Sequence, residues 1–404
     1  MTHITIPGVN RDALQLVFEK NALLGAFSML TGGSAENFSI MLLGLSPYIN
    51  SSIIMQLLTV IVPRMEELSK EGERGRRKIN SWTRWLTLPL AFIQSYGMIA
   101  LINAQAQVPI IENIGDPAVI LPIMLTVSVG TIVLMWLGEV ITEKGLGNGI
   151  SILIFVSIIS TIPAIAGPTL ALASSEPERL LPFVAVLLIT LAMTLFVVLF
   201  TEGQRRIPVT YAGRRTGAKA EQTFLPIRVN QAGMIPIIFA MSLVTFPSIV
   251  GQFLTYADSA WVQKLGELSM TYFTPSSWLY IVSYYLLVVG FTYFYVGITF
   301  NPDNVAENIQ RRGGFVPGLR PGTETASYIS MVSDRMNLFG GNMIAFIAVF
   351  PIILNIAFSE MSVSSVPMLV SGAGIIILVG VILDLIRKIN AELLMHHYDR
   401  FYKG

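Results

Sequence analysis

Charged side chains are scarce in this sequence of 404 residues. Asp, Glu, Lys and Arg together make up only 13% of the chain, whereas hydrophobic residues make up 53%. A water-soluble domain carries about a quarter charged residues. The deficit excludes an ordinary soluble enzyme or binding module, and it indicates that most of the molecular surface faces something other than water.

Cysteine is absent and histidine is rare, and both facts narrow the possible chemistry. The chain forms no disulfides, and its three histidines, His3, His396 and His397, lie outside the apolar runs. Neither H-E-x-x-H nor G-x-S-x-G occurs, so a membrane protease or oxidoreductase is disfavoured. The nucleotide-binding motif G-x-x-x-x-G-K-[ST] is also missing. No cofactor is predicted, and any energy source must be a partner.

Long apolar runs, by contrast, are plentiful. Nine stretches are long enough to cross the ~30 Å hydrocarbon core of a bilayer as helices. Lipid offers no partners to backbone N–H and C=O groups, so such spans must be helical, and Gly or Pro inside them is tolerated. The nine predicted spans are 45–62, 86–104, 118–139, 150–167, 182–201, 232–254, 277–300, 342–359 and 367–386.

The lysines and arginines predict the orientation of these spans. All 26 of them except Arg11, Lys20, Arg179 and Lys264 fall in five segments on alternate sides of the spans. Loops rich in Lys and Arg stay in the cytoplasm, so we expect a cytoplasmic C-terminus and an external N-terminus. The five segments are 62–85, 140–149, 202–231, 301–341 and 387–404.

Ionisable residues at the membrane centre, which ion-coupled transporters commonly use, are missing from these runs. The acidic residues nearest to hydrocarbon, Glu139, Glu360 and Asp384, all lie near span ends. We predict interfacial ion pairs of Glu139 with Lys144 and of Asp384 with Arg387–Lys388. Proton-driven export is therefore disfavoured. A carrier of neutral solutes and a passive pore closed by apolar side chains both stay open.

The segment 39–62 suggests a helix that is interrupted near its start. Gly44 allows the backbone to break, Ser46 is suited to cap a helix, and Pro47 suits the first helical position. The alternative is an ordinary turn at the membrane interface.

This segment and five further blocks together resemble the SecY family, the channel subunit of the protein-secretion translocon, in its bacterial or plastid form. The blocks follow the family order from about residue 5 to 390. They are 70–84 (KEGERGRRKINSWTR), 143–151 (EKGLGNGIS), 205–207 (RRI), 229–236 (VNQAGMIP) and 301–322 (NPDNVAENIQRRGGFVPGLRPG).

The resemblance implies an all-α polytopic membrane protein, with two pseudo-symmetric helical halves around an hourglass pore. The expected parts are an external segment 1–25, a plug region 26–44, a first half 45–167, an external hinge loop 168–181 and a second half 182–404. The second half would include cytoplasmic loops 202–231 and 301–341 and a tail 387–404.

The resemblance also implies an apolar ring at the waist of the pore. The ring maps to Ser46, Ile49, Ile150, Ile154, Ile238 and Ile377. Isoleucine makes no hydrogen bond to a passing polypeptide and offers ions no replacement ligands. Ser46 departs from the family, which places a bulky apolar residue there. Its hydroxyl would either loosen the seal or cap the following helix. Each isoleucine taken alone could equally be a core or lipid-facing residue.

A plug and a lateral gate are further implications of the resemblance. The plug would include Leu30, Thr31, Gly32, Gly33 and Ser34, with the paired glycines keeping it mobile; the alternative is a flexible surface loop. The gate would lie between the helices at 47–62 and 232–254, with Gln56 and Ser242 at its polar positions.

The two long cytoplasmic loops would dock a translating ribosome or the SecA motor. The cations expected to take part are Arg205, Arg206, Arg214, Arg215, Arg311, Arg312 and Arg320. Positive-inside retention alone also explains basic loops. The other implied partners are SecE-type and SecG-type small membrane subunits, signal-bearing polypeptides and the lipid of the bacterial cytoplasmic membrane. The rival functions are a small-solute secondary transporter and a scaffold or insertase without transport.

The family has ten spans, one more than are predicted here. Residues 4–9, ITIPGV, resemble the segment that follows the family's first helix. We therefore expect that one helix is missing, either because the start at Met1 is misplaced or truncated or because this lineage has lost it.

Overall fold

The computed structural model is built mainly of helices. It describes residues 4–6, 9, 14, 33–35, 37–105, 110–111, 116–145, 147–175, 177–211, 223–255, 259–275, 277–360 and 370–402. The helices are α1 (Ser46–Ile61), α2 (Pro63–Lys70), α3 (Glu73–Gln105), α4 (Pro117–Glu143), α5 (Gly149–Ser175), α6 (Pro177–Glu202), α7 (Ile235–Leu254), α8 (Ala260–Tyr272), α9 (Trp278–Thr299), α10 (Pro302–Arg311), α11 (Thr323–Glu360) and α12 (Gly372–Tyr402).

The predicted spans coincide with helices of this set, and the helical fold class is confirmed. By length and composition, four helical stretches of the described residues are able to cross a membrane: Pro117–Glu143, Leu180–Glu202, Trp278–Arg311 and Thr323–Ala357. Gly149–Pro163 and Ile235–Ser248 are shorter apolar helices. The prolines inside α3, α4, α6, α7 and α11 do not end these helices, as is usual in membrane spans.

Two apolar cores hold the membrane part together. The larger core joins buried side chains of α5, α6, α7, α9, α11 and α12, and Leu45 reaches into it from the turn before α1. The smaller core lies between α3 and α4 and includes Phe38 and Leu42 from the segment that precedes α1. The larger core joins elements far apart in sequence, and so it fixes how these helices pack against one another.

A small antiparallel sheet lies between α6 and α11 in the chain, where the sequence predicted only loops. Its strands are β1 (Gln204–Tyr211), β2 (Thr223–Arg228) and β3 (Gly314–Phe315), in the order β2-β1-β3. Arg206 lies opposite Pro226, and Thr210 lies opposite Phe315. The sheet was missed because β1 is short and follows directly on the long apolar run of α6. Its buried Ile207 and Val209 nevertheless show the alternation of a strand.

The sheet joins both predicted cytoplasmic loops into one unit with its own apolar core. Buried residues of β1 and β2 pack with residues of α10, of the turn after β3 and of the first two turns of α11; they are Ile207, Val209, Ile227, Ala306, Ile309, Val316, Ala326 and Ile329. We call this unit of three strands, α10 and the start of α11 the platform. The two loops are therefore not independent protrusions.

Candidate functional site

The break before α1 lies inside the molecule. Gly44 has φ of +56°, a left-handed conformation that glycine adopts without strain, and its N–H donates to the Met41 carbonyl at 2.9 Å. Leu42 and Leu45 are buried, which disagrees with a turn at the membrane interface. A turn is present at Gly44, but residues 40–45 form turns and not helix, so the prediction of a helix interrupted near its start is not confirmed.

The prediction that Ser46 caps α1 is wrong. The N-cap position is Leu45, Ser46 is the first helical residue, and Pro47 follows as the second. The N–H of Ser46 donates to the Leu43 carbonyl at 3.2 Å, and no hydrogen bond of its hydroxyl occurs among the described residues. The preceding turn already satisfies the first donor, so no side-chain cap is needed.

The five isoleucines of the predicted ring all belong to or pack against the larger core. Ile154 and Ile377 are buried, and Ile49, Ile150 and Ile238 are half-buried against the same cluster. Each lies within the first six residues of its helix, in α1, α5, α7 or α12. Ser46 is half-buried directly after Leu45 of this cluster. The first turns of four helices thus supply one apolar group of side chains.

Glycines at the junction of α4 and α5 position Ile150. The Asn148 side-chain oxygen accepts the Ile150 N–H at 3.1 Å, and the Thr142 hydroxyl accepts the Gly149 N–H at 2.9 Å. A Cβ on Gly149 would lie 1.9 Å from the Gly138 carbonyl oxygen. The two helix ends therefore touch backbone to backbone, which gives the GLGNGIS motif its physical reason.

The described part of the predicted plug is buried and hydrogen-bonded. Leu30, Thr31 and Gly32 lie outside the described residues. Gly33 has φ of +76°, and the fully buried Ser34 donates from its hydroxyl to the Met41 carbonyl at 2.8 Å. The burial of Ser34 disagrees with a flexible surface loop at this end of the segment.

This segment is pressed directly onto α4. A Cβ on Gly130 would lie 1.9 Å from the Ile40 carbonyl oxygen. Phe38, which has φ of +44°, inserts its ring into the core of α3 and α4. The segment from Gly33 to Leu45 is therefore held by backbone contact with a helix as well as by apolar burial.

The two polar positions of the predicted lateral gate are not bonded to each other. Gln56 is half-buried, and its amide nitrogen donates to Ser52 of the same helix at 3.2 Å. The carbonyl of Ser242 accepts from Thr245, also within one helix, at 3.1 Å. Helices α1 and α7 touch only lightly, and in the described part of the chain no hydrogen bond joins them.

Most cations of the predicted docking set project from the platform. Arg205 and Arg206 are exposed on β1, Arg312 follows α10, and Arg320 lies in the turn before α11. Arg311 is paired with Glu307 at 2.6 Å. Arg214 and Arg215 lie outside the described residues.

Local hydrogen bonds shape the turn that carries Arg320. Its backbone N–H donates to a Glu324 carboxylate oxygen at 3.2 Å, and its carbonyl accepts from the Thr325 hydroxyl at 2.8 Å. The guanidinium stays exposed at the base of the turn. The backbone on both sides of Arg320 is therefore tied to the start of α11.

The ion pairs at the span ends confirm one prediction and correct the other. Asp384 pairs with Arg387 at 3.4 Å, and Arg387 also contacts Glu202 of α6 at 2.5 Å. Glu139 pairs at 2.8 Å with Arg84 of α3, not with Lys144. The packing of α3 on α4 brings Arg84 into contact with Glu139, in place of the sequence neighbour Lys144.

Sequence reasoning missed a polar contact between α11 and the segment that joins β2 to α7. The Gln231 side-chain oxygen accepts from the Ser333 hydroxyl of α11 at 3.0 Å. A Cβ on Gly340 of α11 would lie 2.3 Å from the Val229 carbonyl oxygen, so only glycine leaves room for this close approach. These residues are about a hundred positions apart, and no local pattern pairs them. The only sign of this contact in the sequence was the presence of polar side chains just before an apolar span.

Known proteins with similar sequences and structures identify the family. The family model described as SecY matches residues 39–386. The protein translocase subunit SecY of Pseudomonas aeruginosa is 37% identical over 407 residues, which cover 99% of this chain and 89% of that protein. A solved protein-conducting channel has a TM-score of 0.63 at 17% identity, over 93% of this chain and 91% of that one. Sec61 in a canine ribosome-channel complex from the endoplasmic reticulum has 0.60 at 18%, over 93% and 91%. The two solved structures show the fold. The family model and the relative's sequence show the family: this chain belongs to the SecY family.

Proposed function

We propose that the chain is the central, pore-forming subunit of the Sec protein-conducting channel. It passes unfolded, signal-bearing polypeptides across the membrane and releases transmembrane segments sideways into lipid. The observation that carries this proposal is that the five isoleucines, all near the starts of α1, α5, α7 and α12, belong to or pack against the same apolar core, where they would form the ring of a pore. Such an apolar ring excludes hydrated ions, yet it makes no hydrogen bond that would retain a moving polypeptide.

The ion pairs of the described residues favour a passive pore over a coupled small-solute carrier. Arg84–Glu139 and Arg387–Asp384 lie at the ends of the apolar runs. A carrier driven by ions or protons places ionisable groups near the membrane midplane. The free-energy cost of burying them there is tolerated because these groups bind or relay the coupling ion. The driving force for transport would then come from a partner outside this chain.

The plug and gate assignments extend the same proposal. The segment around Gly33 and Ser34 would close the pore on the external side, and its burial against α3 and α4 suits a closed state. The gate would open between α1 and α7, past Gln56 and Ser242. The light contact of these two helices supports separation at low cost, since interhelical polar contacts in membranes average only ~0.6 kcal/mol.

The platform would be the docking surface for the partner that supplies the chain. Its exposed cations, Arg205, Arg206, Arg312 and Arg320, suit ribosomal RNA, whose binding is favoured by clustered positive charge, or the SecA motor. SecE-type and SecG-type subunits would complete the channel. We place the protein in the bacterial cytoplasmic membrane, with the platform and the C-terminus in the cytoplasm.

Crosslinking to a translocating chain tests the pore. The natural sequence has no cysteine, so every adduct comes from the introduced residue. A secretory precursor stalled in the channel is expected to crosslink to Ile49→Cys and Ile238→Cys. Leu191→Cys on α6, a position that is 59% exposed, is the control and should give no adduct. Absence of adducts at both ring positions, or equal adducts at Leu191, would overturn the pore assignment.

A further inference from the structure

The short helix α8, between α7 and α9, presents three different faces along its length. Gly266, Ser269 and Met270 face inward and are buried or half-buried. Gln263, Lys264 and Glu267 are exposed and polar. A third face is exposed but apolar. At 100° per residue these faces lie roughly 120° apart, so each is a continuous stripe rather than a chance mixture.

The inward stripe attaches α8 to the last turns of α7. A Cβ on Gly266 would lie 2.6 Å from the Gly251 carbonyl oxygen, and a Cβ on Gly251 would lie 2.9 Å from the Gly266 carbonyl oxygen. The Gln263 amide also donates to the Thr255 carbonyl at 3.2 Å. The two helices are thus in backbone contact, and α8 does not hang free from the end of α7.

Among the described residues, nothing covers the apolar stripe. It consists of Trp261, Leu265, Leu268 and Tyr272, whose exposed fractions are 72%, 40%, 50% and 42%. The spacing of four, three and four residues places all four on one side of the helix. No charged side chain interrupts them.

The surroundings of the stripe point to lipid as its occupant. The two neighbouring spans also expose large apolar side chains, with Phe246 of α7 and Trp278 at the start of α9 exposed by 60% and 68%. Trp and Tyr collect at the headgroup level of bilayers, and here Trp261 and Tyr272 stand at the two ends of the stripe. A helix with one apolar and one polar exposed face is typical of an element that lies at this boundary.

We propose that α8 inserts its apolar stripe into the external leaflet of the bilayer and so holds the external end of α7 to lipid. The exposed polar stripe carries one cation, Lys264, and one anion, Glu267, so the contact is with acyl chains and the headgroup boundary rather than with anionic headgroups. This lipid contact does not depend on what the channel transports.

Spin-label accessibility in the complete channel tests the proposal. Single cysteines at Leu265 and Leu268, with matched controls at Lys264 and Glu267 on the same helix, are labelled with nitroxide in purified channel reconstituted into nanodiscs. We expect labels on the stripe to be reached by oxygen and shielded from a water-soluble nickel complex, at a depth of ~5–10 Å. The control labels should show the reverse order.

Two results would overturn the proposal. If the stripe labels are as open to the nickel complex as the controls, the stripe faces water. If they are closed to both reagents, a protein covers it. A further readout concerns headgroup charge: raising the fraction of anionic lipid should leave the depth unchanged, and a deeper position in anionic lipid would contradict the role assigned to acyl chains.

Discussion

Gly130 and Gly290 both lie inside apolar helices, but their surroundings differ. A Cβ on Gly130 would meet the Ile40 carbonyl oxygen at 1.9 Å, whereas a Cβ on Gly290 would have nothing within 4 Å. We expect Gly130→Ala to lower the free energy of unfolding by about 1–3 kcal/mol, because backbone must move. Gly290→Ala should be neutral or slightly stabilising, since alanine is the better helix former. Thermal unfolding of both variants in one detergent measures the difference. Equal melting temperatures would contradict the close contact.

Ser46 is the polar member of the proposed ring, whose other members are isoleucines. Its hydroxyl caps nothing in the described structure, so we expect it to weaken the seal. Ser46→Met should lower the ion conductance of the idle channel in a planar bilayer. Val60→Met, on the same helix but outside the ring and 44% exposed, is the control and should leave the conductance unchanged. An unaltered conductance in Ser46→Met would show that the hydroxyl does not admit ions.

Single residues show where prediction from the sequence ends. The ring isoleucines were assigned from the family resemblance, and all five belong to or pack against the larger core; that they line a pore stays a prediction. The partner of Glu139 was predicted from its sequence neighbour Lys144, yet helix packing selected Arg84. Contacts between distant helices depend on three-dimensional packing, which local charge patterns do not contain.

At the scale of elements, the platform is expected to respond as one unit. Ile207 of β1 is buried in the core that β1 shares with α10 and α11. Truncation of a buried isoleucine to alanine costs about 2–5 kcal/mol. In Ile207→Ala, trypsin should therefore cleave both loops faster, at 202–231 and also at 301–341. Phe224→Ala, at a site on β2 that is 42% exposed, should change neither rate. Faster cleavage confined to the first loop would show that the two loops fold separately.

Long elements were predictable and short ones were not. Hydropathy located the apolar helices because lipid offers the backbone no hydrogen-bond partners, so a run of about twenty apolar residues must form a helix there. The helices α2, α8 and α10 and the three strands were missed, because they are short or of mixed polarity. Their stability comes from contacts such as Gly251 with Gly266, which local sequence does not show.

For the molecule as a whole, docking to ribosomes should depend on salt through the platform. Each arginine that contacts RNA phosphate is expected to contribute about 1 to the slope of log affinity against log salt. The double substitution of Arg205 and Arg206 by Gln should weaken ribosome binding and reduce the slope by roughly 2. Arg77→Gln, at an exposed arginine of α3 that pairs with Glu73, is the matched control. An unchanged slope in the double variant would place the docking surface elsewhere.

The sheet that unites the two loops also sets an order of events during synthesis of the chain. Strands β1 and β2 are complete by Arg228, but β3 and the covering residue Ile329 come about a hundred residues later. At ~5–20 residues per second this delay lasts roughly 5–20 s, while α7, α8 and α9 enter the membrane. A nascent subunit therefore exposes a bare hairpin, with Ile207 and Ile227 uncovered, and lacks a finished platform. If the platform is the docking surface proposed above, half-made channels do not compete with complete ones for ribosomes.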